Sequence, residues 1–242
     1  MSQIPGSARN CKMESTKVKK AVCLISGGLD SAVTAFVAKD SGYEIHALTF
    51  DYGQRHDREV ECAKKIAEAV GAAEHKIITI DLRALGGSAL TDEMIDVPDA
   101  GGEGIPPTYV PARNTIMLAY CLAWAEVVEA DAIYIGVNSI DYSGYPDCRP
   151  QYIQAFQKMA NLATKRAVEG NPVKIETPLI KLSKKEIIEL GVNLGVPFEN
   201  TWSCYRGEDK ACGTCDSCTL RLRGFKDVGV EDPIEYDDKK SP

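Results

Sequence analysis

A short apolar run, Ala21-Val22-Cys23-Leu24-Ile25, passes directly into Ser26-Gly27-Gly28-Leu29-Asp30-Ser31. A continuous apolar stretch of this length suits a strand covered on both faces, as in a parallel sheet. The glycines permit a sharp turn and a close approach of backbone N–H groups to an anion. Leu29, Ala32, Val33 and Phe36 then recur at helical spacing. Strand, glycine turn and helix N-terminus together make a cradle for phosphate. The Ser26 and Ser31 hydroxyls can donate to phosphate oxygens, and Asp30 is expected to cap the loop backbone and help hold Mg2+. Neither a Gly-Lys-[Ser/Thr] arrangement nor a Gly-x-Gly-x-x-Gly occurs, which turns the expectation away from γ-phosphoryl transfer.

Strand and helix patterns alternate beyond this point, predicting an α/β fold with a doubly wound, mostly parallel sheet. After the first helix (about Leu29 to Lys39) come a strand over Glu44 to Phe50, a helix from about Asp57 to Val70 and a strand over His75 to Ile80. Gly86 to Pro107 reads as a long surface excursion, of the kind that is usually functional. A helix over Arg113 to Val128, a strand over Ala132 to Ile135, a loop over Asn138 to Pro150 and a helix over Tyr152 to Val168 follow. A short strand over Val173 to Glu176 then precedes Ser183, an N-cap whose capping box Glu186 would close, for a helix to about Leu190. Residues 1 to 18 and the stretch after Ile234 read as tails.

With 242 residues, a net charge of −7 and a pI of about 5.1, the chain offers no general basic surface for a phosphate backbone. It shows no membrane-length apolar run and no hydrophobic signal core, so a cytoplasmic protein without a nucleic-acid partner is expected. Five cysteines are scattered, whereas Cys204, Cys212, Cys215 and Cys218 crowd one segment. An odd total with one tight cluster points to a metal in a reducing compartment rather than to disulfides. Four thiolates suit one structural Zn2+ with no open position; a [4Fe–4S] cluster is the alternative. Gly213 would permit the tight turn between ligands.

The glycine loop resembles that of the N-type ATP pyrophosphatases, in which such a loop grips the β- and γ-phosphates while the α-phosphate is attacked. Longer strings narrow the likeness: Phe50-Asp51-Tyr52-Gly53-Gln54-Arg55-His56, Tyr109-Val110-Pro111-Ala112-Arg113-Asn114, Asp141-Tyr142-Ser143-Gly144-Tyr145-Pro146-Asp147-Cys148-Arg149-Pro150 and Thr177-Pro178-Leu179-Ile180. Together with the cysteines they resemble the 7-cyano-7-deazaguanine synthases of queuosine biosynthesis, over about residues 19 to 236. The gap between Cys204 and Cys212 is one residue shorter than that likeness leads one to expect.

The resemblance implies an adenine nucleotide alpha-hydrolase-like domain over 19–198, with a small zinc-binding region over 199–236 and a tail from 237. It implies conversion of 7-carboxy-7-deazaguanine and ammonia to a nitrile with ATP, through an acyl-adenylate and an amide, in a homodimer. Ile25, Ser26, Gly27, Gly28, Leu29, Asp30 and Ser31 would bind ATP, and Asp30, Arg113 and Lys184 would act in catalysis. Asp141, Tyr145 and Asp147 would read the heterocycle. With the synthase pattern nearly filling the chain and Ser2 at the second position, ammonia is expected to arrive as free ammonium. A tRNA-modifying adenylating enzyme of the thiolase or lysidine synthase type, and a non-catalytic zinc and nucleotide-binding module, are the alternatives.

Overall fold

The computed structural model describes residues 18–53, 58–101, 104–140, 145–207 and 209–237. Five strands form one sheet: β1 (Lys20–Leu24), β2 (Glu44–Asp51), β3 (Glu74–Thr79), β4 (Ala132–Tyr134) and β5 (Lys174–Glu176). Their order is β3-β2-β1-β4-β5 and every pairing is parallel. The chain moves outward through α1 (Leu29–Asp40) to β2 and through α2 (Arg58–Val70) to β3. It then returns through α3 (Arg113–Val127) to β4 on the other side of β1. That reversal opens a crevice at the carboxyl ends of β1 and β4, the usual ligand position in such sheets.

Alternation along β1 explains why both faces are covered. Val22 and Leu24 join Met117, Leu118 and Cys121 of α3 in one core. Ala21, Cys23 and Ile25 join Leu29, Ala32 and Val33 of α1 and Ile66 of α2 in the other. The β3 edge is largely exposed and carries Glu74 and Lys76, charges that discourage pairing with another chain.

The capping box forms as expected at α6 (Lys184–Asn193), with the Ser183 N–H donating to Glu186 Oε2 at 2.7 Å. Two expectations need correction, and one further element lay outside them. The helix read over Tyr152 to Val168 is two, α4 (Pro150–Ala163) and α5 (Lys165–Val168), broken at an extended Thr164 whose hydroxyl donates to the Ala160 carbonyl at 3.1 Å. That β-branched residue exchanges a backbone bond for a side-chain one. A seventh helix, α7 (Asp216–Val228), rises from the cysteine cluster and buries Cys218, Arg221, Gly224 and Phe225, chiefly against α6. Finally, Glu235, Tyr236 and Asp237 are bonded rather than frayed: Ala211 donates to the Glu235 carbonyl and accepts from the Asp237 N–H. Among the described residues no helix is long and apolar enough to cross a membrane.

Candidate active site

The loop between β1 and α1 owes its shape to two glycines. Gly27 has φ +84°, and a Cβ there would stand 2.1 Å from the Glu59 carbonyl oxygen. The first turn of α2 is therefore seated directly on the loop. At Gly136, past the end of β4, a Cβ would meet the Asp30 carbonyl at 2.9 Å. Each contact excludes a side chain, and together they hold the loop between two neighbouring elements. Within it, Ser31 Oγ donates to the Gly28 carbonyl at 2.9 Å and accepts from the Ser26 N–H and hydroxyl, both at 3.1 Å. The Trp202 backbone N–H donates to the Gly27 carbonyl at 2.8 Å, so the C-terminal region also braces the turn.

A cleft partly open to solvent is lined by this loop and by residues of α2, α3, the segment after β4 and the C-terminal region. At the loop end, Lys184 Nζ lies 2.7 and 2.8 Å from the two oxygens of Asp30, and the pair is largely buried. Asp30 thus binds Lys184 rather than capping the loop backbone as expected. Asn138 faces the same end and donates to the carbonyls of Leu179 and Leu182.

Arg113 opens α3 and lines the cleft further along. The preceding Ala112 adopts a left-handed φ of 52°, and its N–H donates to the Tyr109 hydroxyl at 3.0 Å. Such strain persists only where surroundings impose it, and here it turns the chain so that Arg113 points inward. Arg113 Nη1 donates to the Tyr52 hydroxyl at 3.2 Å, with the guanidinium 5.7 Å from that ring's centroid. Burial works against the charge on Arg113, but the Tyr52, Tyr145, Tyr205 and Glu59 side chains around it favour the charge on balance, so it stays protonated. Burial pushes Tyr52 up to about 12 despite the nearby arginine.

Tyr145 lines the cleft, shares a 2.9 Å hydrogen bond with Thr108 and lies 5.8 Å from the Tyr109 ring. Asp147 is not among the described residues lining it. Its Oδ2 instead accepts the Asn114 N–H at 3.0 Å, capping α3, while Asn114 Nδ2 donates to Cys148 Sγ at 3.3 Å. Cys148 borders the cleft, where burial raises its thiol to about 12, with Asp147 adding to the shift. Asp141 and His56 lie outside the described residues.

Several cleft residues escaped the sequence reading. Tyr52 and Glu59 come from the β2–α2 region, and Trp202, Ser203, Tyr205, Ser217 and Arg221 from the C-terminal region. The Glu59 carboxylate makes no hydrogen bond or ion pair with any described residue. Burial raises its carboxyl to about 7, an effect partly offset by Arg113 and reinforced by Cys204. Its sequence signal, an acid in a helix's first turn, is the ordinary complement of a helix dipole.

The sulfurs of Cys204, Cys212, Cys215 and Cys218 lie within 4.8 Å of one another and could hold a metal ion. Cys204 Sγ accepts backbone N–H groups from Arg206, Gly207 and Cys212 at 3.4, 3.0 and 3.3 Å. The thiols of Cys215 and Cys218 and those backbone donors hold Cys204 far below the usual thiol range, against the opposing effect of burial. Gly213 takes φ +73° at the turn between ligands, as expected. Arg206 ties the cluster to the long excursion, donating to the Val97 carbonyl and to Asp99 at 2.7 Å.

The model of the family described as queuosine biosynthesis protein QueC matches residues 20–229. The chain is 57% identical to 7-cyano-7-deazaguanine synthase of Saccharophagus degradans, over 90% of this chain and 98% of that one. It is also 57% identical to the synthase of Coxiella burnetii over the same shares, and to that of Hydrogenovibrio crunogenus over 93% and 98%. Among solved structures it is similar to the NMN synthetase of Francisella tularensis at a TM-score of 0.48 and 19% identity, over 89% of this chain and 79% of that one, a likeness too distant to argue from. A match across nearly the whole described chain, with identity above half, places it: the chain belongs to the family of the queuosine biosynthesis protein QueC.

Proposed function

We propose that this chain converts 7-carboxy-7-deazaguanine and ammonia to 7-cyano-7-deazaguanine, using one ATP for each of two successive activations. The observation that supports this reading best is a cleft lined together by the glycine loop, Lys184 and Arg113, in a chain of this family. In the first activation the substrate carboxylate attacks the α-phosphorus and pyrophosphate leaves. Ammonia then displaces AMP to give an amide. In the second, the amide oxygen is adenylated and loss of AMP yields the nitrile.

The proposed roles follow from position. Ile25 to Ser31 hold the nucleotide, with loop N–H groups and the Ser26 and Ser31 hydroxyls turned to the leaving pyrophosphate. Lys184, fixed by Asp30, supplies positive charge at the loop end, worth most in a site shielded from water. Asp30 is the carboxylate that would hold Mg2+, which neutralises phosphate charge when bound. Arg113 and Tyr145 face the acceptor, the arginine holding its carboxylate in line with the α-phosphate. Asp147 acts through the α3 N-terminus that carries Arg113, and Asp141 belongs to the same loop. Free ammonium is the nitrogen source.

The cysteine cluster is proposed to hold one structural Zn2+. Bonds of about 2.3 Å in a tetrahedron separate the sulfurs by roughly 3.8 Å, which the observed cluster accommodates. Such an ion would add folding free energy to the region carrying Trp202, Tyr205 and Arg221. We further propose the division into a nucleotide-binding domain over 19–198 and a zinc-binding region over 199–236, a homodimer, and a cytoplasmic location.

Isotope tracing tests the chemistry. With the acid labelled by 18O in its carboxylate, each AMP should carry one heavy oxygen by mass spectrometry and the nitrile none. Heavy oxygen in pyrophosphate or inorganic phosphate instead would overturn the proposed attack at the α-phosphorus.

A further inference from the structure

Ammonia reaches the acyl carbon with three hydrogens, and the nitrile nitrogen keeps none. When the C–N bond forms, the nitrogen must shed one proton as AMP leaves with the C–O electron pair. In the second activation two more N–H protons go as the nitrogen lone pair closes the C≡N bond and the second AMP departs. The nitrogen steps therefore need a proton acceptor that adenylation of a carboxylate does not.

Few groups along the cleft can take a proton. No histidine lines it among the described residues. Asp30 gives both oxygens to Lys184, and Tyr145 shares its hydroxyl with Thr108. The side chains of Tyr52 and Cys148 are held protonated by burial. Glu59 remains. Its carboxylate borders the cleft on the first turn of α2, free of any hydrogen bond or ion pair with a described residue. Its place is fixed relative to the phosphate loop, because its own carbonyl oxygen packs where a Gly27 Cβ would stand. A carboxylate kept partly from water, beside the nucleotide loop and unbonded to any described residue, has the position a general base requires.

We propose that Glu59 is the general base of the nitrogen steps, accepting N–H protons during amide formation and nitrile formation but taking no part in adenylation of the acid. This rests on the reaction proposed above. It assigns a catalytic role to a residue whose sequence context suggests only a helix-dipole complement.

The two activations can be separated by leaving out ammonium. In the full-length protein, Glu59→Gln should release pyrophosphate from ATP in the presence of the acid within a few-fold of the parent chain. With ammonium added, its amide and nitrile formation should fall by about 100-fold or more. In Glu59→Ala, added formate should restore amide formation in proportion to its concentration. Nitrile formation by Glu59→Gln at the parent rate would overturn the proposal and leave AMP's own phosphate as the proton acceptor. Equal loss of adenylation and amidation in a variant at least as stable as the parent would also overturn it, as would absence of any response to formate. Should the parent chain itself release no acid-dependent AMP, the proposed function fails, and the role of Glu59 with it.

Discussion

Lys184 meets Asp30 in a bidentate ion pair that bridges 154 residues of sequence and joins the first turns of α1 and α6 beside the glycine loop. A lysine in a first turn opposes the helix dipole, so this position is maintained by its partner rather than by the helix. Gly224 of α7 makes room for it, since a Cβ there would come within 2.6 Å of Lys184 Cγ. Removing one partner leaves a buried charge without compensation. Asp30→Asn should therefore destabilise by about 3 kcal/mol in denaturant unfolding. Combining it with Lys184→Met should recover much of that loss. Additive losses would show that the two residues act independently.

Two glycines with nearly the same backbone angle should respond very differently to alanine. Gly27 has φ +84° with the Glu59 carbonyl against it, whereas Gly42 has φ +82° with nothing within 4 Å. Gly42→Ala should cost only the intrinsic left-handed penalty, roughly 1 kcal/mol. Gly27→Ala must displace backbone, and should be recovered largely insoluble or without ATP-dependent thermal stabilisation. Equal melting temperatures for the two variants would contradict the packing of α2 on the loop.

Glu59 makes stability depend on pH in a direction opposite to most carboxylates. Its carboxyl is raised from 4.5 to about 7 by burial, so the folded protein binds a proton more readily than the unfolded chain. The unfavourable contribution is absent below about pH 4.5, grows between 4.5 and 7, and is complete above 7. Glu59→Gln should accordingly stabilise the protein at pH 8 by on the order of 2 kcal/mol, and by much less at pH 5. A variant equally stable to the parent at pH 8 would remove the burial penalty from the account.

Much of this site was legible in local sequence, because its physics is local. Ser26 to Ser31 lie between an apolar strand and a helix, Ser183 and Glu186 form a capping box, and four cysteines share one short segment. What could not be read depends on tertiary contact. Glu59 and Trp202 reach the cleft only because α2 and the C-terminal region fold against the loop. Asp147 looked like a reader of the heterocycle, yet its carboxylate accepts the Asn114 N–H at the start of α3. The helix after Cys215 was obscured by its metal-ligand spacing. Its buried Arg221 is satisfied by Asp232 at 2.7 and 2.9 Å, and Tyr236 donates to the same carboxylate, which is why the chain stays ordered past Ile234.

A structural Zn2+ at the cysteine cluster predicts about one zinc per chain by atomic emission. Cys215→Ser should lose the metal and the cooperative unfolding of the C-terminal region, since such ions contribute folding free energy on the order of 10 kcal/mol in small zinc domains. Iron and sulfide in the purified protein would identify a different group at the same thiols.

The most direct test of the central claim is a balance of products from ATP, Mg2+, 7-carboxy-7-deazaguanine and ammonium. Two AMP should form for each nitrile, with no ADP, and both products should be lost in Ser26→Ala. ADP in place of AMP, or no AMP above the Ser26→Ala level, would contradict it.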